Sequence, residues 1–381
     1  MIRNEERSTD VICRTAMEDL GGIKRFPVYM GCVEHPREKD IFSDLEWHIS
    51  PHNGLLQLKK LIPLDILYSG NHHSGVVGDL WMKHHKAFAS FISTYNPKTI
   101  LEIGGAHGIL SMLYQNSNEN TSWTIIEPDP IPVDGVKANY SKGFFDEKFT
   151  LEEKIDAVVH SHVFEHIYEP RVFIEHLSNS LDNGKYLLFS VPNMKEMLAN
   201  KYTNCINFEH TVLLTEPYIE FLLSQNKFRI LKRQYFLKDH SIFYACERDD
   251  TVLPTNLPSN LYEENIKLYL EYMDYHKNLI DNLNEKIAKF DGRKDIYLFG
   301  AHIFSQYLIA SGLDTNRIKC VLDNDVIKQG KRLYGTCFQI ASPKTLFNKE
   351  EPIVILKAGV YNEEIKNDIL GNINANTVFL D

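Results

Sequence analysis

Four short stretches of the 381-residue chain gather residue types that can do chemistry. The first is Leu101-Glu102-Ile103-Gly104-Gly105-Ala106-His107-Gly108, an apolar run that ends in glycines. Without a Cβ, backbone at such a turn can lie directly against a ligand. The spacing is E-x-G-x-x-x-G rather than the G-x-G-x-x-G of a dinucleotide site, so it offers a close wall more than a pyrophosphate cradle. The second is Trp123-Thr-Ile-Ile-Glu127-Pro128. Glu127 follows the glycine turn by roughly 20 residues, where a carboxylate can accept hydrogen bonds from both hydroxyls of a ribose. The third is Asp156-Ala-Val-Val-His160-Ser161-His162-Val163-Phe164-Glu165-His166-Ile167, an apolar strand that turns polar at its carboxyl end. Open α/β sheets place their ligands at that edge. The fourth, Asn207-Phe208-Glu209-His210-Thr211, lies downstream of Val191-Pro-Asn193. A histidine has the intrinsic pKa to take a proton near neutrality, and a neighbouring carboxylate can orient it. Each stretch alone also fits a plain strand–helix turn, a solvated carboxylate or a satisfied polar residue near a cleft. Their order and joint spacing favour function.

The elements that must position these residues follow from the apolar pattern. Leu80, Trp81, His84, Phe88 and Phe91 fall at helical spacing, which predicts a helix within 76–95 that ends before Pro97. Short apolar runs beginning at Thr99, Trp123, Ile155 and Tyr186 predict strands, with helices over 109–116 and 172–180. Arg229-Ile-Leu and Ser241-Ile-Phe-Tyr-Ala-Cys246 read as closing antiparallel strands. Alternating strands and helices predict a doubly wound, mostly parallel sheet. Residues 250–260 hold two prolines and read as a linker, followed by a helix over about 261–290. Strands beginning at Asp295, Ile318 and Ile353 then predict a second α/β sheet. Residues 1–75 read as short strands and loops. The expected domains are therefore 1–75, 76–250 and 251–381.

Composition narrows the partners. A net charge of −10 disfavours nucleic acid, because the phosphate backbone is repelled. Six scattered cysteines without a CxxC pair point to a reducing compartment rather than a disulfide framework. No apolar run reaches the roughly 18 residues of a membrane helix, and MIRNEERSTD carries no signal region. A soluble cytoplasmic protein acting on a small molecule is expected; oligomeric state is not readable.

The glycine turn, Glu127 and the segment after Asp156, in that order, resemble class I S-adenosylmethionine-dependent methyltransferases. The resemblance implies an α/β fold with a Rossmann-like seven-stranded domain, S-adenosylmethionine as cofactor and S-adenosylhomocysteine as product. It implies that Glu102, Gly104, Gly105 and Gly108 form the cofactor turn. Glu127 with Pro128 would hold the ribose, and Ser161 with His162 would line the methionine side.

The flanks resemble a narrower group, the three-domain methyltransferases of nucleotide-linked deoxysugars. Tyr297-Leu-Phe-Gly300-Ala301, Val321-Leu-Asp323, Lys328-Gln-Gly330 and Tyr334-Gly335-Thr336 look like that group's C-terminal Rossmann-like α/β domain. A Glu-His pair stands at Glu209-His210 with the histidine as base, and His166 matches a second histidine of the group. The group's small N-terminal domain carries a four-cysteine zinc site. Here Cys13 remains, but Ser50 and Asn53 stand at ligand positions, so no zinc or other metal is expected. His72, beside His73, and Asn207 occupy places where the group has tyrosines, and all three are expected at the substrate. These departures turn the expectation from carbon to oxygen. The expected reaction is methylation of a sugar hydroxyl on a nucleotide-activated sugar, serving cell-surface polysaccharide or glycan precursor synthesis. Carbon methylation of a keto-deoxysugar and a non-catalytic scaffold are the alternatives. An NAD site at Gly300 lacks the second and third glycines of the pyrophosphate turn.

Overall fold

A computed structural model describes residues 5–67, 78–146, 149, 154–290 and 294–380. Its central sheet has seven strands in the spatial order Phe228–Phe236, Ser241–Arg248, Tyr186–Pro192, Ala157–Ser161, Thr99–Ile103, Ser122–Glu127 and Asn139–Lys142. The pairings from Tyr186–Pro192 outward to Asn139–Lys142 are parallel, and Ser241–Arg248 runs antiparallel to both its neighbours. This is the Rossmann-like α/β arrangement expected of the middle segment. The three middle strands are covered by helices on both faces, which is why they read as unbroken apolar runs. Helices Asp79–Ser93 and Ile109–Gln115 pack on one face and Pro170–Ser180 and Glu216–Gln225 on the other. All the parallel strands therefore deliver their carboxyl ends to one edge.

A second sheet follows the 29-residue helix Leu261–Lys289. It is wholly parallel, in the order Ile340–Ala341, Ile318–Leu322, Ile296–Phe299, Ile353–Leu356, Val378–Leu380. The N-terminal segment forms a three-stranded antiparallel sheet from Glu18–Pro27, Phe42–Ile49 and Leu56–Leu58. It is stitched to both larger sheets. Cys32–Val33 pairs with Arg332–Leu333, and the Arg332 guanidinium donates to both Asp40 oxygens at 2.6 and 2.8 Å. Asn265 donates to the Gly54 carbonyl at 3.0 Å and to the Tyr218 hydroxyl at 2.8 Å.

The loops that bear Cys13, Ser50 and Asn53 are tied together by a carboxylate. Asp10, fully buried, accepts from the amides of Ile12 (3.0 Å), Cys13 (2.5 Å) and Thr15 (2.8 Å), from the Thr15 hydroxyl, and from Asn53 Nδ2 at 3.3 Å. Burial pushes the Asp10 pKa up, but these donors outweigh it and hold the group below its ordinary value of 3.8. A group with a lowered folded-state pKa stabilises above its unfolded pKa and loses that contribution as pH falls. Asp10→Asn is therefore expected to cost about 1–3 kcal/mol at neutral pH. The deficit should shrink toward about pH 3, which urea unfolding at several pH values would check. A deficit that stays constant with pH would rule out the ionised carboxylate as its source.

Candidate active site

The glycine turn sits where Thr99–Ile103 gives way to helix Ile109–Gln115. Gly104 donates its N–H to the Ile126 carbonyl at 2.9 Å, which ties the turn to the next strand. Gly108 opens the helix at φ +71, and a Cβ there would stand 2.5 Å from the Tyr140 hydroxyl. Gly105 has a different reason: its Cβ would lie 2.7 Å from Ile125 Cγ2 and 2.8 Å from Glu102 Cδ. Both positions are closed to side chains, which leaves bare backbone facing outward.

Glu127 ends Ser122–Glu127 beside this turn. Its Oε2 accepts from the Ala106 amide at 3.1 Å, and its Oε1 from the Asp129 amide at 3.2 Å. Each carboxylate oxygen retains a second lone pair for an external donor. The turn and the anchored carboxylate together fit a nucleoside with two vicinal hydroxyls. The sequence profile of a family described as "Methyltransferase domain" matches residues 81–232. This stretch is an S-adenosylmethionine-dependent methyltransferase domain.

Solved methyltransferase structures align with part of the chain at low identity. An O-methyltransferase family protein from Burkholderia thailandensis aligns at 12% identity over 45% of this chain and 57% of its own, with a TM-score of 0.38. Human N-acetylserotonin methyltransferase, solved with S-adenosylmethionine, aligns at 12% identity over 45% and 53%, TM-score 0.38. The N-methyltransferase NodS from Bradyrhizobium japonicum aligns at 14% identity over 45% and 97%, TM-score 0.34. The chain thus spans 57% of the length of the first of these. No curated protein sequence matches it significantly.

Within the methyltransferase domain, Glu102 does not face outward. It is 3% exposed, accepts from Trp123 Nε1 at 2.8 Å, and supports the glycine turn from behind. Burial raises its pKa to about 8, against the Trp123 hydrogen bond that lowers it. Pro128 follows Glu127 and is partly exposed, as are Ser161 and His162 at the end of Ala157–Ser161. His162 adopts φ +54, a costly left-handed backbone for a non-glycine residue, and such strain concentrates at functional turns.

The carboxyl edge also assembles a cluster of acids and histidines. His210 Nδ1 lies 2.8 Å from the Cys205 carbonyl and 3.2 Å from Asn207 Nδ2; the shorter contact, to a group that can only accept, favours the proton on Nδ1 and Nε2 as the acceptor. Burial, then repulsion from His166, lowers the His210 pKa to about 4. His166 Nδ1 in turn donates to the Glu209 carbonyl at 3.1 Å, and the two imidazole rings stand 5.4 Å apart. Behind them Glu165 is 2% exposed, 3.4 Å from His162 Nδ1 and 3.8 Å from His166 Nε2. Burial pushes its carboxyl up, but the imidazoles of His162, His166 and His210 outweigh that and keep it ionised. The cluster therefore contains a buried anion ready to stabilise an imidazolium.

Two expectations are corrected. Glu209 turns its carboxylate toward His166, 3.9 Å from Nδ1, and the Cys205 carbonyl lies 2.8 Å from His210 Nδ1 in the orienting position expected of Glu209. A loop carbonyl reaches His210 Nδ1 because residues 204–210 fold back on themselves. Asn207 does not face a substrate. It is 2% exposed, its Oδ1 accepts the amides of Glu209 (2.8 Å) and His210 (2.9 Å), and its Nδ2 donates to the Asn204 carbonyl at 3.1 Å. An asparagine satisfies its own loop in this way more readily than it reaches outward. His72 and His73 lie outside the described residues. Glu165, in the short 3-10 turn Phe164–His166 after the strand, carries no role in the sequence reading; its place between His162 and His166 in that polar run is the available signal.

Proposed function

We propose that the chain methylates a hydroxyl of a sugar, carried on a nucleotide, as a step in building a surface glycan or its precursor. The observation that carries this reading is the 2.8 Å approach of His210 Nδ1 to the Cys205 carbonyl. With Nδ1 donating to the Cys205 carbonyl, Nε2 is the free base at the edge where the cofactor turn opens. Bound at the turn and Glu127, S-adenosylmethionine supplies an electrophilic methyl on a sulfonium. His210 Nε2 would accept the hydroxyl proton as the oxygen takes the methyl carbon and the sulfur leaves with the carbon–sulfur electron pair. Glu165 stabilises the resulting imidazolium, and His166 with Glu209 holds the pair in place. Carbon methylation would need donors to hold an enolate. Asn207, at one of the two places where the resembling group has tyrosines, has its polar atoms committed to its own loop.

The test is a panel of nucleotide sugars deuterated on the ring carbons, incubated with cofactor and read by mass and NMR. Expected is one added methyl on oxygen with all deuterium retained. Deuterium loss with a new C–CH3 would replace oxygen by carbon as the acceptor. No transfer to any sugar, despite cofactor binding, would sink the sugar assignment while leaving the methyltransferase domain intact.

A further inference from the structure

Three histidines far apart in the sequence converge at the same edge. His84 comes from helix Asp79–Ser93, His162 from the turn after Ala157–Ser161, and His240 from the turn before Ser241–Arg248. One ring nitrogen of each lies within 4.8 Å of those of the other two. Their ring centroids form a triangle with sides of 5.4, 5.4 and 6.1 Å. Trp81 covers this triangle, with its centroid 5.2, 5.0 and 5.1 Å from His84, His162 and His240.

The surroundings are those of a ligand set. His84 is fully buried; its Nε2 lies 3.0 Å from the Ser190 hydroxyl, and its Nδ1 has no hydrogen-bond partner among the described residues. His162 Nε2 and His240 Nδ1 both point at the Ser241 hydroxyl, at 2.9 and 2.6 Å. The other nitrogen of His162 faces the Glu165 carboxylate at 3.4 Å. A carboxylate on the outer nitrogen is the usual support of a metal-bound histidine.

We propose that His84, His162 and His240 bind one divalent transition-metal ion, zinc(II) by preference, with Glu165 as the outer carboxylate. Three imidazoles with one open position match the donor set of a catalytic zinc. Zinc–nitrogen bonds of about 2.0–2.1 Å set the nitrogens roughly 3.4 Å apart, so the ion would draw the three rings together. The fourth position takes a water or a substrate oxygen, whose acidity the ion raises. The site does not depend on the sugar assignment. Its ligands span residues 84 to 240 with no short spacing, so no sequence motif announces it.

The experiment uses untagged full-length protein, stripped with a chelator and titrated with zinc(II) and with cobalt(II). Calorimetry should give one ion per chain. Cobalt should show the intense visible bands of a tetrahedral site and quench Trp81. His84→Ala and His240→Ala should each weaken binding by at least about 10-fold, and Glu165→Gln by about 10–100-fold. His84→Gln and His240→Gln, which keep more of the side-chain volume, are the replacements if either alanine variant unfolds. Trp81→Phe should abolish most of the quench and leave the calorimetric stoichiometry unchanged. Binding that survives both His84 and His240 variants but is lost in His210→Ala would overturn the proposal by placing the ion among Glu165, His166 and His210, the other group with suitable spacing. Folded protein that binds neither ion saturably would overturn it outright.

Discussion

His210→Ala should slow methyl transfer by about 10²–10⁴-fold in kcat, the span of a lost general base, while the dissociation constant for S-adenosylmethionine stays unchanged. The cofactor turn and Glu127 lie on strands away from the loop that bears His210 and share no hydrogen bond with it among the described residues, so the loss belongs to the chemical step. The pH profile carries a second signature. The neutral imidazole is the working form, so activity is present above the His210 pKa and disappears as pH falls through it. An ordinary histidine would begin to lose its base near 6.5, whereas burial holds His210 at about 4. The kcat/KM profile, which reports the free enzyme, should therefore be flat from about pH 8 down to about pH 5.5. An acid limb centred near 6.5, or a His210→Ala enzyme of near-normal rate, would remove His210 from the proton's path. Asn207→Ala offers the contrast. Its Oδ1 holds the His210 amide and its Nδ2 lies 3.2 Å from His210 Nδ1, so it should lower kcat through the loop that presents His210.

Glu127→Ala is expected to weaken S-adenosylmethionine binding by about 100-fold. Hydrogen bonds to a charged acceptor contribute about 1.5–3 kcal/mol each, and about 2.8 kcal/mol corresponds to 100-fold. The carboxylate is already aimed by the Ala106 and Asp129 amides, so a ligand spends no side-chain entropy to order it. Calorimetric titration of the variant gives the number directly, with a thermal melt to show that the fold persists. Because the carboxylate is partly exposed and supports only two loop amides, the melting temperature should move by a few degrees at most. An affinity within threefold of the parent would mean that Glu127 holds its turn and nothing more.

Much of the methyltransferase domain could be read directly from the chain. The strands beginning at Thr99, Trp123 and Tyr186, the helix bearing Trp81 and Phe88, and the glycine turn are local features. Apolar runs of strand length, helical spacing and the absence of a Cβ each act over a few residues, and the protein realises them where they are written. Glu127 was legible for the same reason, since its place at a strand end after the turn is a matter of count. The N-terminal segment was less legible: its ten-residue strand Glu18–Pro27 carries two glycines and two bulges, which hide the alternation.

Side-chain partnerships were decided by tertiary structure alone. The neighbour of His210 is a backbone carbonyl, a group every residue possesses, so nothing in the residue types marks Cys205 as its partner. Adjacent Glu209 was the sequence choice, yet adjacent residues on a folded-back loop point apart, and its carboxylate turned to His166. Asn207 could equally have reached a ligand or capped its own loop, and only the path of residues 204–210 selects between them. The same holds for Asp10, which gathers the loops that Cys13, Ser50 and Asn53 mark. It holds most fully for His84, His162 and His240. Their chemistry exists only because a helix and two strand ends meet at one edge of the sheet, and hydrogen bonds and metal ligation act over ångströms in space while sequence records only distance along the chain.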